Sequence, residues 1–108
     1  MRLTSEFWVR AYLARLEQAG IAAFVTAHGD DTAGAVIVKL NTLDGYAAAW
    51  QRALTLEGAR AWQVLAEGAE ADVDAALARQ RGYDPDLWVI EVEDREGRTL
   101  LDDDGLAE

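Results

Sequence analysis

The chain contains one proline, Pro85, and it stands just before the most strongly patterned stretch of the sequence. Proline lacks a backbone donor and disfavours helix at the residue before it, so any preceding helix must end by Asp84. Leu87 to Val92 is then almost wholly apolar and rich in β-branched residues, with Glu91 and Glu93 alternating around Val92. That is the pattern of a strand with a buried face. Trp88, Ile90 and Val92 are expected to face the core. The opposite face begins with Leu87 and Val89 and turns acidic only at Glu91 and Glu93, so its first half is covered too. The sequence therefore predicts a central strand.

The elements before it follow from periodicity. Thr4 or Ser5 can cap a helix over about Ser5 to Ala19, whose Val9, Tyr12, Leu13 and Leu16 recur at helical spacing until Gly20 stops it. Phe7 and Trp8 add a second aromatic flank, read first as core and second as a contact for another chain. Strand-like patterning over Ala23 to His28 and Ala35 to Asn41, around the turn Gly29 to Gly34, predicts a hairpin. In the second strand Val36, Val38 and Leu40 share one face, and Ile37 and Lys39 the other. Asp44-Gly45 is the best tight-turn signal and opens a strand over Tyr46 to Leu54.

Ala49-Trp50-Gln51 recurs as Ala61-Trp62-Gln63 across a predicted turn over Thr55 to Ala59. An antiparallel pair is expected, in a register that sets Arg52 beside Trp62, because opposing the two tryptophans would also oppose Arg52 and Arg60. Which face of this pair is core stays open. A second helix is predicted from the acidic run Glu67 to Asp74 up to Gly82, with acids at its positive end and Arg79 and Arg81 at its negative end. Val73, Ala76, Leu77 and Gln80 form its inner stripe. After the central strand, a turn at Arg95 to Arg98 is expected to let Thr99 to Leu101 pair briefly with it. The fold class is thus α+β: a mainly antiparallel sheet of five or six strands with two helices packed on it, in the order α-β-β-β-β-α-β(-β). The expected organisation is one domain over residues 1–101 and an acidic, disordered tail over 102–108.

Composition narrows function by exclusion. With no cysteine among 108 residues, disulfides, thiolate metal sites and cysteine nucleophiles are ruled out. A net charge of −10 repels phosphate backbones, and no basic cluster overcomes it, so no nucleic-acid partner is expected. No apolar run nears the ~20 residues a spanning helix needs, and no charged-then-apolar leader opens the chain, so no membrane partner and a cytoplasmic location are expected. The lone Ser5 and lone His28 make a poor hydrolase pair, since Ser5 suits a helix start. His28 beside Asp30 and Asp31 reads as an ordinary turn, and Asp102-Asp103-Asp104-Gly105 lacks the remainder of a calcium loop. No glycine-rich phosphate loop occurs. No cofactor, metal or catalytic residue is expected.

The remaining candidates are Arg79, Arg81, Asp84, Asp86, Glu91, Glu93 and Asp94. Paired carboxylates at Glu91 and Glu93 could hold a cation or serve acid–base chemistry, but both charge signs occur together, which favours ion pairs tying the helix to the strand. A small-molecule site between Trp50 and Trp62 is a further possibility if both rings are exposed.

The run Arg79-Gln80-Arg81-Gly82-Tyr83-Asp84-Pro85-Asp86-Leu87-Trp88-Val89-Ile90-Glu91-Val92-Glu93-Asp94 resembles the C-terminal motif of an uncharacterised family of short bacterial proteins, a domain of unknown function. Phe7-Trp8-Val9, Ala33-Gly34-Ala35-Val36 and Leu43-Asp44-Gly45 are similar to it as well. The resemblance implies a small cytoplasmic domain and carries no activity. The expected function is a non-enzymatic interaction or assembly module, a homodimer using tryptophan-bearing surface. The alternative is a small metal-assisted hydrolase or ligand-binding protein built on Glu91 and Glu93.

Overall fold

The computed structural model describes residues 4–54 and 60–102. Seven elements follow in order: α1 (Ser5–Gln18), β1 (Ala22–Ala27), β2 (Val36–Asn41), β3 (Tyr46–Leu54), β4 (Arg60–Ala69), α2 (Glu70–Tyr83) and β5 (Trp88–Glu93). Thr4 caps α1, its hydroxyl accepting from the Phe7 amide at 3.2 Å, and Gly20 ends the helix region with a positive φ of 75°. The five strands form one sheet in the order β1-β5-β2-β3-β4. The α+β class and element order match the sequence reading. The sheet is mixed, however: β5 runs parallel to β2, while the other three pairings are antiparallel.

The lone proline does what the sequence demands of it. Asp84 is extended, with φ −136° and ψ 91°, α2 stops, and β5 enters the middle of the sheet between β1 and β2. Its side chains divide as predicted. Trp88, Ile90 and Val92 join Trp8, Val9, Tyr12 and Leu16 in a core under α1, while Leu87 and Val89 join Val73 and Leu77 under α2. The helices thus cover opposite faces of the sheet.

The hairpin expected between β1 and β2 does not form. β5 separates them, pairing with β1 through Phe24↔Glu91 and with β2 through Val38↔Ile90. The segment between β1 and β2 is instead docked onto the start of β5: Asp30 N donates to Asp86 O at 2.9 Å, Trp88 N to Ala35 O at 2.8 Å, and Trp88 Nε1 to Asp30 O at 2.8 Å. Burying the most apolar strand on both faces outweighs a local turn.

β3 matches its predicted range, and Leu43 and Gly45, with φ 65° and 95°, make the turn that precedes it. The β3–β4 register sets Arg52 opposite Trp62, as charge repulsion requires. Trp50 and Trp62 pack half-buried on the α1 core, and Ala47 and Ala49 lie under α2. The predicted turn over 55–59 lies outside the described residues.

α2 starts three residues later than the acidic run suggests, because β4 stays paired through Ala69↔Tyr46. No strand forms over Thr99 to Leu101. That segment folds over α1, with Tyr12 Oη donating to Thr99 O at 2.7 Å and Leu101 buried beside it. Of the acidic tail, only Asp102 lies among the described residues, and it is exposed.

Candidate functional site

Lys39, the only lysine in the sequence, is 3% exposed. It sits mid-β2 and points to the α2 side of the sheet, because Val38 and Leu40 on either side belong to the α1 core. A buried ammonium needs opposite charge and three acceptors, and it has both. Nζ lies 2.7 Å from Asp74 Oδ1, 2.8 Å from Glu70 Oε2 and 3.2 Å from Glu91 Oε1. Glu70 and Asp74 stand one turn apart on α2, and Glu91 is paired across the parallel ladder with Lys39 itself.

Asn41, two residues on and therefore on the same face, is 7% exposed and completes the cluster. Its amide donates to Glu70 Oε2 at 3.0 Å and to Glu91 Oε2 at 3.4 Å, and its carbonyl oxygen accepts from Leu43 N at 2.8 Å. Burial alone would depress the lysine's pKa. The bonds from Asp74, Glu70 and Glu91 outweigh it, and the ammonium is held protonated above its ordinary range. Three carboxylates against one ammonium leave the knot net negative.

The knot forms one wall of a groove of about 350 Å³ between α2 and the sheet, floored by Ala27, Val89, Leu77 and Ala78. Arg81 lines the same groove, with Nη2 at 3.5 Å from Pro85 O and a buried Nε that has no hydrogen-bond partner.

The sequence-derived residues are distributed as follows. Glu91 is in the knot, held by Lys39 and Asn41 and not by arginine. Glu93 shares its strand face further along, opposite Ala22. Among the described residues neither Arg79 nor Arg81 forms an ion pair; Arg79 is exposed on α2. The helix-to-strand tie exists, but its cation comes from β2. Asp84 and Asp86 are exposed and serve the turn, with Asp86 N donating to Asp84 Oδ1 at 3.1 Å. Asp94 pairs with Arg98, which holds its carboxyl below the usual carboxylate range.

Trp62 lies 5.4 Å from Trp8, and the Arg52 guanidinium stands 5.4 Å from the Trp8 ring and 5.8 Å from the Trp62 ring. These tryptophans thus belong to the α1 layer. Ser5 Oγ donates to Gly34 O at 2.6 Å, and His28 Nε2 meets Asp31 Oδ1 at 2.7 Å, so the two are engaged separately. Among the described residues no group of three or more His, Cys, Asp or Glu side chains is placed to hold a metal ion, and none of their helices is long and apolar enough to cross a membrane.

Fold and site together define a small mixed-sheet domain, with a helix on each face and a single lysine bonding one helix to the sheet. The chain belongs to the family described as "Protein of unknown function (DUF1491)", whose model matches residues 3–102. A crystal structure of a DUF1491 family protein from Caulobacter crescentus CB15 is similar at 39% identity and a TM-score of 0.86, over 94% of this chain and 96% of that one. An NMR structure of a DUF1491 family protein from the same organism is 39% identical with a TM-score of 0.82, covering 94% of each chain. The solution structure of a protein from A. tumefaciens is 32% identical with a TM-score of 0.73, over 86% of each chain. No curated protein matches.

Proposed function

We propose that this chain is a cytoplasmic, non-enzymatic assembly module that acts as a homodimer. One observation carries the catalytically silent half of the reading: Lys39 takes up Glu70, Asp74 and Glu91 together. Acid–base or metal chemistry needs a carboxylate or amine free to change partners, and these groups are already committed to one another. A cation entering the groove would have to displace an ammonium already seated among the carboxylates. The assembly half is supported by exposed apolar side chains on an edge strand, Phe24 at 51% and Val25 at 39%.

Sedimentation of the full chain over a wide concentration range tests the assembly half, with a mass that rises with concentration expected. A fixed monomer mass at the highest concentration would overturn it. Titration with magnesium, calcium or manganese tests the silent half. No shift in melting temperature is expected, and a saturable rise would show an ion site.

A further inference from the structure

We infer that the outer edge of β1 is the self-association surface, on which a second copy of this chain pairs antiparallel across a two-fold axis. The inference rests on the assembly reading above and adds the surface and its geometry. Among the described residues β1 ends the sheet, and only its inner edge is paired, with β5. An edge strand presents unpaired amides and carbonyls, and soluble chains commonly block it with charge or proline. β1 has neither: from Gln18 to Ala27 no side chain carries a formal charge, in a chain that is 28% charged.

Charge also selects the occupant. Near a two-fold axis each residue meets its own copy, so a charged residue there would meet its like, and a chain of net charge −10 can approach itself closely only where it is uncharged. Phe24 and Val25 lie on opposite faces of the strand and are both exposed, so a second strand would cover apolar surface on both faces. Self-pairing closes at two copies, whereas pairing β1 with β4 of another copy would be open-ended. The β4 edge is also the poorer template. Its extra residue at the Ala49/Trp50 register shift falls mid-strand, whereas the β1 irregularity follows Val25 and leaves Ala22 to Val25 regular.

Sedimentation velocity on the full chain, from roughly 5 µM to 1 mM, should show a reversible dimer. Phe24→Lys and Val25→Lys should each weaken it about tenfold or more, while Val64→Lys on β4 should leave it unchanged. Amide exchange of the wild-type chain gives an independent readout, with outward amides between Ala22 and Val25 gaining protection as concentration rises. A dimer that survives both β1 variants, or is lost only with Val64→Lys, or forms without protecting those amides, overturns the inference and leaves the assembly reading standing. A monomer throughout overturns both.

Discussion

Lys39 Nζ lies 2.7 Å from Asp74 Oδ1, so the only lysine of the chain reaches from the middle of the sheet to the second turn of α2. Lys39→Met removes the charge and keeps most of the side chain's length. It leaves Glu70, Asp74 and Glu91 facing one another without a cation. Breaking a buried pair costs about 3–5 kcal/mol, but Asp74 and Glu70 are 54% and 37% exposed and can rehydrate, which lowers the expected loss to about 2–3 kcal/mol. Urea unfolding measures it. Adding Glu91→Gln to Lys39→Met should recover about 1 kcal/mol, because Glu91 is the most buried of the three.

The same geometry makes Lys39 chemically silent in the native state. Acylation of amines needs a free, accessible, neutral amine, and Lys39 is buried and held as an ammonium. Treatment of the folded chain with an acylating reagent near neutral pH should leave Lys39 unmodified. Modification should appear on unfolding in urea, or in the folded Glu70→Gln/Asp74→Asn variant, read by peptide mass spectrometry.

Alkaline pH should destabilise the protein chiefly through two buried groups. Lys39 is raised above its ordinary value, where the carboxylate bonds outweigh burial, and burial pushes the Tyr12 phenol up as well. Each group contributes stability that is fully present below its unfolded pKa, about 10.4 for lysine and 10 for tyrosine, and that is lost as pH rises towards the folded value. The slope approaches about 1.4 kcal/mol per pH unit for each group once the unfolded state has titrated. Denaturation midpoints taken from pH 9 to 12 should therefore fall steeply above about pH 10.5. Tyr12→Phe and Lys39→Met should each flatten the fall, and an unchanged slope in both would assign it to other groups.

Local patterning made much of this fold legible. Pro85 and the alternation after it located β5 and assigned Trp88, Ile90 and Val92 to one face, and repulsion between Arg52 and Arg60 was enough to choose the β3–β4 register. The neighbours of β5 were not legible, because a pairing such as Val38↔Ile90 joins residues far apart in sequence and leaves no local mark. The knot leaves no local mark for the same reason, since Lys39 meets Glu70 and Glu91 across separations of 31 and 52 residues. One signal was present: a sole lysine inside an apolar strand predicted to be buried must have partners. Glu91 is paired with Lys39 of β2, whereas the cations nearest to it in sequence on the adjoining helix, Arg79 and Arg81, form no ion pair among the described residues.

Gly29 and Gly34 show how the β1–β2 segment is held against the start of β5. A Cβ on either would collide with the Asp86 carbonyl oxygen, and at Gly34 it would also meet Asp30 O at 2.8 Å and Asp30 N at 2.9 Å. These are backbone atoms, already fixed by the Asp30 N to Asp86 O bond, so no side chain can swing aside to make room. Gly34→Ala should cost about 2–3 kcal/mol by overpacking. Gly20→Ala, where φ is 75° but the space is open, should cost about 1 kcal/mol from backbone strain alone. The contrast separates crowding from conformation, and urea midpoints of the two variants measure it. His28 sits with its ring 4.0 Å from Trp88 on this same segment, so Gly34→Ala should also shift the tryptophan emission while Gly20→Ala leaves it unchanged. Equal costs with unshifted emission would mean that the segment moves aside as a unit and that the Asp30–Asp86 bond does not fix its position.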